Sequence, residues 1–182
     1  YTQIKIKGTG LNIFLDKKIL IYGLGKSGLS AFKFLRNKSN VFLYDDYKSS
    51  IKTLKIKKNL INYKNVSKSK FDQIILSPGI DINKCKLSRY LKKNQNKIYS
   101  DLDVFYSFYK NDCITITGTN GKSTTCKLMY EILLNQKHDV KLVGNIGNPV
   151  LSAKNKKKKT IFIIEASSYQ LEYSKIFRSK YS

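Results

Sequence analysis

The 182-residue chain has no apolar run approaching the roughly 20 residues that cross a bilayer. Ile161-Phe162-Ile163-Ile164 has the length of a buried strand instead, so membrane insertion is not expected. Residues Tyr1 to Lys7 are polar and alternating, unlike a signal or transit peptide. The chain opens on Tyr rather than Met, so an incomplete N-terminus is expected. Histidine occurs once, as His138 between Lys137 and Asp139, where a solvated turn is expected. Cys85, Cys113 and Cys126 stand far apart, and no Cys-x-x-Cys pair exists. No zinc cluster can be built from these residues, and reduced thiols in a cytoplasmic protein are the simplest expectation.

Acidic residues are scarce too: 12 against 35 Lys and Arg, for a formal net charge of +23. Such an excess suggests nucleic acid as a partner. Arginine, the usual fork for phosphates and base edges, is nearly missing. Only Arg36, Arg89 and Arg178 occur, and the lysines are spread over the whole chain. Together with abundant Asn, Ile and Tyr, this reads as codon bias rather than a nucleic-acid footprint. Lys156 to Lys159 form the densest run, between apolar segments where a solvated loop is expected. No specific nucleic acid is expected, although weak, salt-sensitive polyanion binding is.

Against these absences stands Gly118-Thr119-Asn120-Gly121-Lys122-Ser123-Thr124. It follows the β-type run Cys113 to Thr117 and opens a helical pattern carrying Leu128, Met129, Ile132 and Leu133. Strand, glycine loop, Lys-Ser and helix form a phosphate cradle. Backbone N–H groups and the helix N-terminus meet the phosphates, Lys122 reaches the terminal ones, and the Ser123 hydroxyl suits Mg²⁺. The strict eight-residue pattern needs glycine at 116, where isoleucine stands, so this is a variant loop. The plain alternative is a glycine-rich turn without a ligand.

Gly23-Leu24-Gly25-Lys26-Ser27-Gly28 forms a second such loop. It follows the strand Lys18 to Tyr22, precedes a helical face of Leu29, Phe32 and Leu35, and has Asp45-Asp46 about 20 residues on. By itself this suggests NAD or a nucleoside diphosphate, or a ligand-free βα turn. Ser77-Pro78-Gly79-Ile80 ends the strand Ile74 to Leu76, and Gly144-Asn145-Ile146-Gly147-Asn148-Pro149 follows the strand Val140 to Val143. Glu165 ends the strand Ile161 to Ile164, a usual place for a second Mg²⁺ anchor beside a phosphate loop; a capping or surface acid is the alternative. Residues 47 to 70 resist assignment. Helices are expected at Ser88 to Lys93, Leu102 to Tyr109 and from the phosphate loop to Gln136. Alternating strands and helices imply an α/β fold with parallel sheets. Two nucleotide-type loops, each opening its own unit, place a boundary near residue 100, giving domains 1–99 and 100–182.

These segments resemble the Mur ligases of peptidoglycan synthesis, most of all their D-glutamate-adding members. The resemblance rests on Gly23 to Ser30, Ser77 to Ile80, Ser100 to Phe105, Gly118 to Thr124, Gly144 to Pro149 and Glu165 to Glu172. It implies a Rossmann-like UDP-substrate domain followed by part of a P-loop-type ATPase domain. The first loop would then hold the UDP of the substrate, not a dinucleotide. Gly25, Lys26 and Ser27 would face the diphosphate, and Asp45 and Asp46 the uridine. Ser77, Gly79, Asn145, Ser167 and Gln170 would line the rest of the path. Gly118 to Thr124 would bind ATP, Ser123 and Glu165 would hold Mg²⁺, and Lys122, Asn145 and Glu165 would serve catalysis.

The implied reaction is ATP-driven ligation of D-glutamate to UDP-N-acetylmuramoyl-L-alanine through an acyl phosphate, by a monomer in the cytoplasm. Asp46 stands where the family commonly has Thr, and Ala166 and Tyr169 where Leu and Phe are frequent. The chain stops about halfway through the ATPase domain, before the family's Asp-His metal segment, its carbamylated lysine and its C-terminal domain. Residues 1–182 alone are therefore expected to be inactive or nearly so. The competing readings are a nicotinamide-dependent oxidoreductase, for which no catalytic His or Tyr-Lys pair is evident, and a basic nucleotide- or nucleic-acid-binding module.

Overall fold

The computed structural model describes residues 12–47, 57–153 and 157–182. Among them run β1 (Lys18–Tyr22), α1 (Lys26–Leu35), β2 (Asn40–Tyr44), α2 (Tyr63–Lys68), β3 (Gln73–Leu76), α3 (Ser88–Lys93), β4 (Ile98–Ser100) and α4 (Asp101–Phe108). They are followed by β5 (Cys113–Ile116), α5 (Lys122–Asn135), β6 (Val140–Gly144), β7 (Ile161–Glu165) and α6 (Ser168–Tyr173). The first four strands form a sheet in the order β2-β1-β3-β4, and the last three one in the order β5-β7-β6. Every strand pairing in both sheets is parallel. Parallel strands covered on both faces need continuous apolar runs. β1, β3 and β7 have them, and nearly all their residues are buried.

The two sheets share a core. One buried cluster joins Ile19 and Leu35 of the first unit to Phe162 and Ile164 of the second, with Leu102, Val104 and Phe105 of α4 between them. The Phe105 ring packs edge-on against Phe162 with centroids 4.9 Å apart, and Phe34 meets Phe108 at 5.0 Å. Across the same seam the Ser30 and Ser152 hydroxyls lie 2.7 Å apart. The segment from Ser100 is thus a wall common to both units.

Two expectations need amendment. α5 contacts β5, β6 and β7, yet only Met129 and Leu133 of its expected apolar face pack there, beside Cys126, Val140 and Ile163. Leu128 and Ile132 are 57% and 43% exposed, because they point away from the one sheet face the helix covers. Within the unassigned stretch, α2 forms at Tyr63–Lys68, where the Asn62 side chain accepts from the Asn65 N–H. The rest of that stretch between 48 and 56, and Tyr1 to Lys7 and Lys156, lie outside the described residues. Lys157 to Lys159 are exposed.

Two kinds of helix start bear on the sites; α3, which begins after Leu87 without a side-chain cap, belongs to neither. Asn62, Ser100 and Ser167 cap α2, α4 and α6 with their side chains, the last two in reciprocal capping boxes. α1 and α5 begin instead at Gly25 and Gly121, with no side-chain cap. Their first N–H groups stay available to an anion.

Gly28 shows how tightly the first loop closes. A Cβ there would lie 1.9 Å from the Gly23 carbonyl oxygen and 2.7 Å from Ser77 Oγ. In an ordinary helix interior Gly→Ala gains about 1 kcal/mol. Here Gly28→Ala is expected to cost about 3 kcal/mol through overpacking against backbone, measured by urea unfolding. A variant as stable as wild type would show that the loop yields easily.

Candidate nucleotide-binding sites

The carboxyl ends of parallel strands are where open α/β sheets take ligands, and both glycine loops lie there. The first is held by its neighbours. The Gly23 N–H donates to the Tyr44 carbonyl at 2.9 Å, and Ser77 Oγ donates to the Gly23 carbonyl at 2.6 Å. Asp45 accepts from the Leu24 N–H at 2.6 Å and from the Tyr47 N–H at 2.8 Å. Ser77 and Asp45 therefore shape the loop from within.

Around it lies a cavity of about 350 Å³. It brings together Gly25, Lys26, Ser27, Asp45, Asp46, Ser77 and Gly79 of the first unit and Asn145 of the second, with Tyr47, Gly147 and Pro149 on its rim. Asp46 Oδ2 accepts from the Tyr22 hydroxyl at 2.6 Å and from the Lys86 N–H at 3.2 Å. Asp46 Oδ1 is buried and has no partner among the described residues. Burial, then the bond to Asp46, holds the Tyr22 hydroxyl far above the usual tyrosine range, so it stays a donor. Burial likewise pushes up the nearby Cys85 thiol. Tyr22 and Tyr47 carry no motif and were invisible as site residues in the sequence.

The second loop is open. Gly118, Thr119, Asn120, Gly121, Ser123 and Thr124 are exposed. Gly121 reaches the αL conformation needed at the helix start, with φ 77°. The Lys122 ammonium folds over its own loop, donating to the Gly118 carbonyl at 2.6 Å and the Thr119 carbonyl at 3.2 Å. Ser123 Oγ donates to Glu165 Oε2 at 2.7 Å. Glu165 is 5% exposed at the end of the central strand β7, and no ion pair reaches it among the described residues.

A hydroxyl and a carboxylate are hard oxygen donors that suit Mg²⁺, which takes few protein ligands and completes its shell with phosphate and water. The described residues hold no group of three or more His, Cys, Asp or Glu able to bind a metal by themselves. Asn145 joins the two sites. Its N–H donates to the Glu165 carbonyl at 2.9 Å while the residue also lines the first cavity.

Ser167 and Gln170 stand apart from that cavity. Ser167 caps α6, and Gln170 is 1% exposed. Gln170 Oε1 accepts from the Ser167 N–H at 3.3 Å, and its Nε2 donates to Asp101 Oδ1 at 2.6 Å. Asp103 accepts backbone N–H groups from Ser100, Lys175, Ile176 and Phe177. The Ser-x-x-Asp spacing from Ser100 signals the cap at Asp103. Nothing in the sequence marks the burial of Asp101.

Residues 17–98 match the Mur ligase MurD-like N-terminal domain, and residues 116–180 the Mur ligase middle domain. The chain belongs to the Mur ligase family. Similar proteins named UDP-N-acetylmuramoylalanine--D-glutamate ligase include that of Rickettsia felis, 37% identical over 174 residues. Those of Rickettsia prowazekii and Lachnoclostridium phytofermentans are 38% and 36% identical. The alignments cover 93%, 93% and 91% of this chain and 38% of each relative's length. The fold is the expected one for these Mur ligase domains, a Rossmann-like unit and a P-loop-type unit with parallel sheets. No helix among the described residues is long and apolar enough to cross a membrane.

Burial pushes the Asp101 carboxyl up to about 6, against the opposing bonds from Gln170, backbone N–H groups and Ser27. Its folded pKa lies above the unfolded value. Its contribution to stability is therefore complete below the unfolded pKa and is lost as pH rises through about 6. Between about pH 7.5 and pH 5, wild type should gain on the order of 1 kcal/mol relative to Asp101→Asn. Urea titrations of both proteins at the two pH values measure this, and parallel pH profiles would contradict it.

Proposed function

We propose that this chain supplies the substrate-binding domain, residues 1–99, and the start of the ATP-binding domain, residues 100–182, of a ligase. The complete enzyme would join D-glutamate to UDP-N-acetylmuramoyl-L-alanine at the expense of ATP. The observation that carries the proposal is the cavity joining the first glycine loop to Asn145, whose backbone is tied to Glu165 beside the second loop. A dinucleotide oxidoreductase would leave that second loop without a task, and the family assignment does not favour one.

In this reading the α1 N-terminus and Lys26 neutralise the diphosphate, Ser77 and Gly79 border it, and Asp45 and Asp46 close the uridine end. Lys122 leaves the Gly118 and Thr119 carbonyls to meet the β- and γ-phosphates of ATP. Ser123 and Glu165 would hold Mg²⁺, which neutralises charge on the transferring phosphoryl group. The L-alanine carboxylate oxygen attacks the γ-phosphorus and the bond to ADP breaks, giving an acyl phosphate. The D-glutamate amine then attacks the acyl carbon, loses a proton, and expels phosphate as the amide forms. The chain's own part is positioning and charge neutralisation; no nucleophilic side chain is needed. Residues 1–182 alone would hold the UDP substrate without ligating it, as a monomer in the cytoplasm.

The test is incorporation of labelled D-glutamate by the full-length enzyme. Lys122→Ala is expected to lower kcat by about 100-fold or more while binding of the UDP substrate persists. Turnover at the wild-type rate would refute the role of Lys122. Failure of wild type to use UDP-N-acetylmuramoyl-L-alanine would refute the assigned reaction.

A further inference from the structure

Strand order sets which way a nucleoside diphosphate can lie in the first cavity. In the order β2-β1-β3-β4, the glycine loop after β1 stands between the end of β2 and the end of β3. Asp45, Asp46 and Tyr47 follow β2, whereas Ser77 to Ile80 follow β3 and Asn145 follows β6 of the second unit. A diphosphate on Gly25 to Ser27 therefore has one flank at the β2 end and the other at the seam between the units. The acid pair puts the nucleoside on the β2 flank.

Among the described residues lining the cavity, Tyr47 carries the one aromatic ring. Tyr47 is 73% exposed, so its ring is not spent on the core. Its backbone is nevertheless held from both sides. The Tyr47 N–H donates to Asp45 Oδ1 at 2.8 Å, and the other oxygen of that carboxylate accepts from the Leu24 N–H of the glycine loop at 2.6 Å. The preceding Asp46 carbonyl accepts from the Lys86 ammonium at 3.2 Å, and Asp46 Oδ2 accepts from the Tyr22 hydroxyl at 2.6 Å. One carboxylate thus ties the backbone of Tyr47 to the turn that would hold the diphosphate. A lone exposed aromatic residue is ordinary on a protein surface. This one borders a cavity, at a fixed place relative to a helix N-terminus without a side-chain cap. A Cβ on Gly25 would meet nothing within 4 Å, so the space beside that turn is open to a ligand.

We propose that Tyr47 is the base-stacking residue of this site, its ring covering one face of the pyrimidine of a uridine diphosphate whose phosphates lie on the α1 N-terminus. The inference rests on the UDP-binding reading of the cavity. Stacking takes apolar area of both rings out of water, and only the side-chain torsions remain to be ordered because the backbone is already held. Every base has a π-face, so Tyr47 supplies affinity for a flat ring and leaves the choice among bases to hydrogen bonds at the ring edge.

The experiment is calorimetric titration of the 182-residue chain with UDP and with 5,6-dihydro-UDP. Saturating the 5,6 double bond removes the flat π-face and leaves the imide edge, the ribose and the diphosphate in place. Wild type is expected to bind UDP about 5- to 20-fold more tightly than 5,6-dihydro-UDP. Tyr47→Ala is expected to weaken UDP by a similar factor while changing 5,6-dihydro-UDP by less than about twofold, so the preference disappears. Tyr47→Phe should keep the preference, because the ring and not the hydroxyl carries it. The chain has no tryptophan, so Tyr47→Trp reports contact directly: UDP should quench its indole fluorescence and 5,6-dihydro-UDP should not. Equal weakening of both ligands in Tyr47→Ala would assign the residue to loop structure and overturn stacking, as would unchanged UDP affinity. Either result leaves the UDP site standing. Absence of UDP binding by wild type sinks the UDP-site reading and the inference with it.

Discussion

Everything in this molecule turns on burying the acidic start of α4 between two parallel sheets. Asp103 gathers N–H groups from its own helix cap and from Lys175 to Phe177. Asp101 accepts from the Gln170 amide of α6. Without partners, two buried carboxylates would be costly. Here most of the bonds they accept come from Gln170 and residues 175–177, outside α4, so desolvation is offset only when these parts meet correctly. Leu102, Val104 and Phe105, interleaved with the acids, supply the apolar contact that brings both sheets to the same wall.

That seam explains why the first cavity has two owners. A Rossmann-like unit alone offers a glycine loop, an uncapped helix and an acid pair. Asn145, Gly147 and Pro149 complete the cavity only because β6 ends beside the first unit. The Asn145 backbone is bonded to Glu165, and the Glu165 side chain to Ser123. A short, continuous set of bonds thus runs from the first cavity to the phosphate loop.

The order of elements was largely legible in the sequence. β1, β3 and β7 carry continuous apolar runs, and Gly-Lys-Ser and Gly-x-Gly-x-x-Gly begin helices where the loops said they would. The difficulties have physical causes. α5 shows helical spacing of Leu128, Met129, Ile132 and Leu133, but spacing does not report how many neighbours a helix has, and half of that face is open. Gln170 sits in a segment read as part of a substrate path, but its amide is spent on Asp101 and Ser167. Tyr22 reads as one more strand residue, yet its hydroxyl reaches Asp46 because β1 and β2 are in register at Tyr22 and Tyr44.

What the sequence determined by itself is local. Glycine at 25 and 121 leaves helix N–H groups without side-chain caps, Lys122 and Ser123 follow a phosphate loop, and Glu165 ends a strand too apolar to lie anywhere but in a sheet centre. Each follows from steric freedom or from burial along a few consecutive residues. Tertiary structure alone decided which loops face each other, that Asp45 shapes the first loop while Asp46 keeps a buried oxygen unpaired, and that Asp101 takes the Gln170 amide. Those outcomes depend on contacts between residues tens of positions apart. Hydrogen bonding and desolvation there are set by the packing of the two sheets on α4, a quantity no local pattern encodes.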